Sequence, residues 1–294
     1  MEFGLNYAPM HFNASIVNVA REAERVGFEC LGVPEHSHMP LATDFPLAAE
    51  TPMGYKSMFD PFVSLAAAAA VTEKIKVITS LALVPQRDTI HTAKEVATLD
   101  QISNGRVVFG IGAGWNIEEM EAHGVDPYTR FRLMREKVEA MKTLWTNEVA
   151  EYHGRLVDFP PTWQWPKPVQ DPHPPIILGG AGPTVLNRVV NYCDGWMPAI
   201  HMRFTEDLRG RFTPIEEFAD EAAKLQRLAE EQGKPRPQIQ CSTAVLSRMP
   251  LGQLEEIGVT RLMMGREDFL GNLQDEDVPS AMEKMREDLD KLIA

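Results

Sequence analysis

The stretch GRVVFGIGAGWNIEEM, residues 105–120, passes from a predicted strand into a predicted helix. β-branched and aromatic residues at its start are typical of a buried strand, and the two glutamates near its end suit the first turn of a helix. Between them, Gly110, Gly112 and Gly114 match the first part of the G-x-G-x-x-G dinucleotide-binding turn, but position 115 is tryptophan where the third glycine belongs. The stretch alone leaves open whether it binds a nucleotide or simply ends a strand.

The same strand-then-helix unit recurs along the whole chain. Apart from the opening stretch, predicted strands cover residues 2–8, 29–34, 75–85, 176–180, 194–200, 238–246 and 259–265. Helical patterns separate them, and no change of composition marks a linker. Eight strand–helix units in strict alternation predict one domain over residues 1–294, a closed parallel (β/α)8 TIM barrel. A doubly wound open sheet is the alternative.

Two connections are longer than simple turns. One follows strand two, from Ser37 to Phe59, and the other precedes strand five, from Glu148 to Pro174. Long loops on a rigid scaffold usually form lids or the walls of a binding site. The second connection carries Trp163 and Trp165, which we interpret either as a wall of the substrate pocket or as core residues beneath the loop.

Composition restricts the partners and the compartment. A formal net charge of -13 repels phosphate backbones and anionic lipid, so neither nucleic acid nor a membrane is an expected partner. The first residues lack the basic start and apolar run of a signal peptide, and no segment approaches the roughly 20 apolar residues of a membrane helix, which predicts a cytoplasmic protein. Cys30, Cys193 and Cys241 are far apart and lack metal-binding spacing, which favours reduced thiols and no bound metal.

In a barrel of this kind, ligands bind where the strands end at their carboxyl side. The segment ILGGAGPT, residues 177–184, runs from a strand through three glycines into a helix, and its free backbone N–H groups suit a phosphate. The alternative is a tight turn that binds nothing. After strand two, Glu35, His36 and His38 offer a hydrogen-bonding or proton-exchanging group. Zinc ligation and an ordinary surface histidine are the alternatives there.

A set of motifs, in this order and spacing, resembles the bacterial luciferase-like superfamily and is most similar to its flavin-dependent and coenzyme F420-dependent oxidoreductases. The resemblance covers nearly the whole chain up to the sixth strand and is weaker from His201 onward. The motifs are GFECLGVPEH, VITSLALVP, TLDQISNGRVVFGIGAGW, REKVEAMKTLW, KPVQDPHPPIILGG and DGWMP.

The resemblance implies a luciferase-like barrel that holds a flavin or deazaflavin at the strand ends. By position, it implies a non-prolyl cis peptide at Ser80-Leu81 and a histidine, His36, facing the reactive carbon with Glu35 beside it. It places the backbone of Gly112, Ala113 and Gly114 next to the ring, which favours cofactor approach over a dinucleotide turn. The implied phosphate loop consists of Gly179, Gly180, Ala181, Gly182, Pro183 and Thr184.

The substrate pocket is expected beside the ring, and its expected residues are Tyr7, His38, Trp115 and Glu118. Sugar-phosphate dehydrogenases of the superfamily have an acidic proton donor at the position of Trp115, so a mechanism that needs that acid is in doubt here. Glu118 and Glu119 lie about one helical turn further on.

From the resemblance we predict an oxidoreductase that transfers a hydride between coenzyme F420 and a small apolar or aromatic substrate. An FMN-dependent luciferase-like monooxygenase and a non-catalytic flavin- or F420-binding protein are the alternatives. The alanine-rich helical segments SLAAAAAVT and HTAKEVATL suit close packing, and we expect a homodimer through them. Packing inside one monomer explains the alanines equally well.

Overall fold

Eight parallel strands close into a barrel in the computed structural model, which describes residues 1–44, 52–201, 212–265 and 273–293. Each strand pairs with its neighbours in parallel, and β3 pairs with β4 to close the ring through Val77 opposite Val107. The predicted (β/α)8 architecture is therefore confirmed. The strands are β1 Glu2–Asn6, β2 Cys30–Val33, β3 Lys76–Thr79, β4 Val107–Gly112, β5 Ile176–Gly180, β6 Gly195–Pro198, β7 Gln238–Ser242 and β8 Val259–Met264.

Helices cover the outside of this barrel. Because each strand packs on helices outside and on side chains inside, all residues of β2 and β4 are buried, and these strands appear in the sequence as continuous apolar runs. The helices are α1 Ile16–Arg25, α2 Pro61–Ala70, α3 Thr89–Ser103, α4 Arg130–Thr146, α5 Val185–Tyr192, α6 Phe218–Glu231, α7 Leu251–Glu256 and α8 Val278–Ile293.

Several short helices and strands lie in the loops. Helices at Met53–Ser57 and Ile117–Ala122 follow β2 and β4, and a two-residue strand at Ala82–Leu83 extends the sheet beside β4. The predicted seventh strand is too long, because the Ser242 hydroxyl accepts a hydrogen bond from the Ala244 amide and starts a 3-10 helix at Thr243–Ser247. The remaining elements are 3-10 helices at Val84–Gln86, Ile215–Glu217 and Asp275–Asp277 and a strand pair at Ile200–His201 and Thr213–Pro214.

The long connection before β5 contains an antiparallel hairpin, Val149–His153 with Asp158–Trp163, that the sequence did not predict. The chain after the hairpin runs along the outside of α3, where Gln164 donates to the backbone carbonyl of Ile90. Trp163 is 75% exposed and Trp165 is 59% exposed. Both interpretations of these tryptophans, as pocket wall or as core, are therefore wrong, because they lie on the outer surface.

The two ends of the barrel differ in character. At the amino-terminal end, the buried Arg261 of β8 donates to Glu2 and to Gln240, and Glu2 and Arg261 line an open cavity of about 670 Å³. Loops and helix starts surround the other end, the mouth, where the predicted site residues are found. No helix within the described ranges has the length and apolar character needed to cross a membrane.

Candidate active site

His36 lies at the mouth, three residues beyond the end of β2, and both of its ring nitrogens are engaged. Nδ1 is 2.8 Å from Oε2 of Glu119, and Nε2 is 3.2 Å from the indole nitrogen of Trp115. An indole N–H can only donate, so Nε2 must be the accepting, unprotonated nitrogen. The imidazole is therefore neutral, with its proton on Nδ1 and directed at the carboxylate.

Glu119 is completely buried, with 0% of its surface exposed. Burial by itself raises the pKa of this carboxyl, but the hydrogen bonds from His36 and from Ser37 outweigh it and hold the pKa below its usual value. The Ser37 amide donates to Oε1 at 2.9 Å, and the Ser37 hydroxyl donates to the same oxygen at 3.2 Å. Glu119 is therefore an ionised carboxylate that fixes the tautomer and orientation of His36.

Glu119, and not the predicted Glu118, is the glutamate that contacts His36. The side chain of Asn116 caps the short helix by accepting from the Glu119 amide, which makes Glu119 the third helical residue. Side chains in this position point back toward the helix start, here toward the mouth, whereas Glu118 is rotated by about 100° around the helix axis. The spacing N-x-x-E is the signal in the sequence that identifies Glu119.

Ser37 links the buried pair to two exposed histidines. Its hydroxyl oxygen is 2.9 Å from Nδ1 of His38 and 2.7 Å from Nε2 of His123. His38 therefore reaches the His36–Glu119 pair, the dyad, only through Ser37. Within the described part of the chain, no three histidine, cysteine or carboxylate side chains converge as metal ligands.

A cavity of about 330 Å³ opens beside His36. Its wall includes Met58, Gln86 and His123, three residues that the sequence did not identify as site residues. Gln86 lies near the chain at Gly114, since a Cβ on that glycine would be 3.3 Å from its amide nitrogen. The volume suits a small organic molecule.

Of the predicted substrate-pocket residues, Trp115 is at the mouth and Tyr7 is not. Trp115 is 39% exposed, and its ring centroid is 5.4 Å from that of His36. Tyr55, on the loop after β2, also packs against His36 with a centroid separation of 5.4 Å, and its ring centroid is 6.4 Å from that of Trp115. Tyr7 is 1% exposed, and its hydroxyl donates to the Ala14 carbonyl at 2.6 Å. Tyr7 is therefore a core residue, because its hydroxyl, the only polar group of its side chain, is already hydrogen-bonded to the backbone.

The peptide bond Ser80-Leu81 is cis, as the resemblance implied. The Leu81 side chain fills the space in front of β4 and β5: a Cβ on Gly179 would lie 1.9 Å from Leu81 Cδ1, and one on Gly112 would lie 3.2 Å from the same atom. These two positions are therefore glycines because the Leu81 side chain occupies the space of a Cβ, and the sequence did not reveal this packing. Gly114 has φ +81, in the left-handed region that favours glycine, and Ala113 beside it is buried.

The Glu35 carboxylate holds the chain that follows the cis peptide. One carboxylate oxygen accepts the Leu83 amide at 2.6 Å, and the other accepts Nε of Arg87 at 2.7 Å. Arg87 also pairs with Asp60 and Glu95. Glu35 also lines the cavity beside His36, so its contact with a cofactor stays a prediction.

The predicted phosphate loop joins β5 to α5. Gly180 and Gly182 have φ +134 and +97, values that favour glycine. No described residue accepts a hydrogen bond from the amides of Ala181, Gly182 or Thr184, and the Thr184 side chain makes no capping bond. These donors, at the start of a helix, are therefore available to an anion.

Arg188 lies in the first turn of the helix that follows this loop and is close to Arg130, and the sequence identified neither arginine. The guanidinium carbons of Arg130 and Arg188 are 4.4 Å and 3.8 Å from the centroid of the Phe131 ring. Arg188 is in the first turn of α5 and donates its amide to the Thr184 carbonyl. Across the described ranges, neither guanidinium pairs with a carboxylate, and the buried Nε of Arg130 has no hydrogen-bond acceptor.

Burial lowers the pKa of both guanidiniums below the usual arginine value, and for Arg188 the neighbouring charge of Arg130 lowers it further. Two adjacent cations without a counter-charge are unfavourable by themselves. We name residues 181–184, Arg130 and Arg188 together the candidate anion-binding surface.

The structure thus combines a closed parallel barrel with a buried histidine–carboxylate dyad at its mouth. The model of one family, luciferase-like monooxygenase, matches residues 7–247 of the chain. The protein therefore belongs to the luciferase-like monooxygenase family.

Individual relatives agree with this assignment. An uncharacterized protein of Mycobacterium tuberculosis is 37% identical over 276 residues, covering 91% of this chain and 93% of the relative. Among solved structures, the monooxygenase RslO1 from Streptomyces bottropensis has a TM-score of 0.74 at 19% identity, with 100% of both chains covered. An F420-dependent secondary alcohol dehydrogenase has a TM-score of 0.71 at 17% identity, again over 100% of both chains. At these identities the structures show a shared fold.

Proposed function

We propose that the protein is an oxidoreductase that binds coenzyme F420 across the mouth of the barrel and exchanges a hydride with a small organic substrate. In this proposal, His36 exchanges the proton that accompanies the hydride. The arrangement of His36 and Glu119 is the observation that carries the proposal.

An alcohol that loses a hydride from carbon must also lose its hydroxyl proton. Nε2 of His36 is unprotonated and lies at the mouth, so it is able to take that proton. Glu119, at 2.8 Å from Nδ1, stabilises the imidazolium that forms, as the acid of a catalytic triad does. In the reverse direction, the same imidazolium returns the proton to a carbonyl oxygen.

The candidate anion-binding surface fits the charged tail of such a cofactor. The whole chain carries a net charge of -13, so attraction for an anion has to come from local donors. Within the described residues, the amides of Ala181, Gly182 and Thr184 have no acceptor and the guanidiniums of Arg130 and Arg188 have no carboxylate partner, so these groups support binding of an anion near the mouth. When bound, the deazaflavin ring supplies the carbon that accepts or donates the hydride, while the chain orients it and keeps water away.

The same surface suits FMN, so a flavin-dependent monooxygenase is the second candidate. The monooxygenase RslO1 has the same fold, with a TM-score of 0.74. The His36–Glu119 dyad favours the first candidate, because a base beside the ring is required when a proton and a hydride leave the same substrate.

Turnover assays separate the candidates. The protein is incubated anaerobically with F420 and a panel of small secondary alcohols, and with reduced F420 and the matching ketones, while the deazaflavin absorbance is followed. A parallel set contains reduced FMN and oxygen. Turnover with F420 that His36→Ala abolishes supports the proposal. Turnover confined to reduced FMN and oxygen supports the monooxygenase, and cofactor binding without turnover in every assay supports a non-catalytic binding protein.

We also propose that two copies associate through the outer face of α2 and α3. Within one chain, all alanines of α2 except the exposed Ala70 are half-buried or buried, so packing in the monomer already explains most of them. The exposed apolar residues on this side of the barrel are Val63, Ile90, Ile102, Trp163 and Trp165. Exposed tryptophans beside aliphatic residues are typical of protein interfaces, and two-fold homodimers are the commonest oligomers.

We place the enzyme in the cytoplasm. Cys30, Cys193 and Cys241 are all unpaired, and the first and last of them are buried. Free thiols are typical of a reducing compartment.

A further inference from the structure

The indole of Trp115 and a proton compete for one atom of His36. The Trp115 N–H donates to Nε2, at a distance of 3.2 Å between the nitrogens, and the His36 side chain is only 7% exposed. A protonated Nε2 has no lone pair to accept this bond. The contact therefore exists only while His36 is neutral, and it occupies the atom that the proposed function requires.

Aromatic packing holds the indole in this position. The Trp115 ring meets the His36 ring edge-on, with an interplanar angle of 69°. Tyr55 lies 5.4 Å from the His36 centroid and 6.4 Å from the Trp115 centroid. The three rings thus connect the loop after β2 with the loop after β4 and cover the base.

The backbone on either side of Trp115 is fixed. Gly114 has φ +81, and Asn116 both caps the following helix and donates to the Thr43 hydroxyl at 3.0 Å. Trp115 itself is 39% exposed, which leaves part of its ring in contact with solvent. We therefore expect the indole to leave Nε2 by rotation of the side chain, without rearrangement of the loop.

We propose that Trp115 is a removable cap on His36 and that a substrate hydroxyl displaces its N–H group from Nε2. This inference rests on the proposed function, and it deepens it by naming the substrate class. A neutral His36 accepts a hydrogen bond at Nε2, so the group that replaces the indole must itself be a donor, such as an alcohol. A ketone has no hydrogen-bond donor, so it can bind Nε2 only when His36 is protonated. In that state Nε2 no longer accepts the hydrogen bond from Trp115.

Other titratable groups also face His36. Glu119 is bonded to Nδ1, Tyr55 contacts the ring, and His38 and His123 reach Glu119 through Ser37. A substitution that removes only the indole N–H leaves all of these contacts unchanged. Replacement of Trp115 by 3-benzothienylalanine makes this change, because sulfur takes the place of the N–H group in a ring of the same shape.

The test is a nuclear magnetic resonance titration of the full chain, labelled with ¹⁵N in histidine and free of cofactor and substrate. His36→Gln assigns the resonances, and the same replacement at Trp163, which is 75% exposed, serves as the control. We expect Nε2 of His36 to be the unprotonated nitrogen in the wild type. We also expect the ¹⁵N resonance of the neutral Nε2 to move downfield in the Trp115 analogue, because the nitrogen lone pair loses a hydrogen-bond donor.

Trp115→Phe, which also lacks the N–H group, is expected to move the Nε2 resonance in the same direction. An unchanged Nε2 resonance in both folded variants, or a proton on Nε2 in the neutral wild type, would overturn the cap. Because the experiment uses neither cofactor nor substrate, its outcome is independent of whether F420 or FMN binds.

Discussion

His36 and Glu119 form a dyad in which Nδ1 and Oε2 are 2.8 Å apart, although the two residues belong to loops after different strands. The histidine side chain is 7% exposed and the glutamate side chain 0% exposed. A buried carboxylate that accepts an imidazole N–H sets the tautomer of the ring and makes the other nitrogen more basic.

Substitution of Glu119 is expected to reduce catalysis without abolishing cofactor binding. Glu119→Gln keeps the shape but removes the charge that stabilises the imidazolium, so kcat should fall by about 10² to 10⁴. Steady-state turnover with F420 and a substrate identified in the panel, together with a cofactor titration, measures both effects. Glu118→Gln is the matched control and should leave both values within about twofold. Equal losses in the two variants would show that the dyad has no special role.

Acid stability should depend on the same carboxylate. The pKa of Glu119 is below its ordinary value of 4.5, so ionised Glu119 stabilises the fold at pH values above 4.5. That contribution is lost as the pH falls below 4.5 toward the lowered pKa of the folded state. Urea unfolding at several pH values should therefore show a smaller loss of unfolding free energy below pH 4.5 in Glu119→Gln than in the wild type. An identical pH profile would mean that Glu119 is not ionised in the fold.

Gly179→Ala is expected to distort the mouth. The added Cβ would lie 1.9 Å from Leu81 Cδ1, so the leucine must move, and overpacking of this kind costs about 1–3 kcal/mol. Gly112→Ala, with its nearest Leu81 atom at 3.2 Å, should cost less. Gly252→Ala is the control, since nothing lies within 4 Å of its added Cβ, and a helical alanine is favourable. Chemical unfolding gives the order of stability of the three variants. Equal stability of Gly179→Ala and Gly252→Ala would contradict the packing of Leu81 against Gly179.

Assembly should depend on the exposed tryptophans. Trp163→Asp places a charge in the proposed interface and is expected to shift the protein from dimer to monomer in sedimentation velocity. Tyr128→Asp provides a comparison, because Tyr128 is 96% exposed and does not belong to the group of exposed apolar residues around α2 and α3. A wild type that sediments as a monomer at all concentrations, or a Trp163→Asp variant that remains a dimer, would contradict the interface.

The fold could be predicted from the sequence because eight buried strands produce eight apolar runs, and strict alternation with helices leaves few topologies. The hairpin at 149–163 was missed because its strands are short and partly exposed, and prolines interrupt the second of them. Tyr7 was misassigned because a strand-end tyrosine in the core and one in a pocket look the same in a sequence.

The site was predictable only where a short motif fixes the geometry. The glycine-rich loop after β5 leads directly from a strand into the start of a helix, so its free backbone amides were expected from the sequence alone. Arg130 and Arg188 lie on different helices, and nothing local in either helix indicates that they share the Phe131 ring. The role of Glu35 depends on Arg87, which approaches it from the chain after β3.

Binding of F420 to the candidate anion-binding surface is the most direct test of the central claim. Fluorescence titration with F420 and with FMN is performed on the wild type, on the double variant Arg130→Met with Arg188→Met, and on Arg132→Met, an exposed arginine next to the pair. We predict that the wild type binds F420, that the double variant binds at least about tenfold more weakly because charged hydrogen bonds are lost, and that Arg132→Met matches the wild type. Equal affinity of the double variant and the wild type, or no binding of either cofactor by the wild type, would contradict the account.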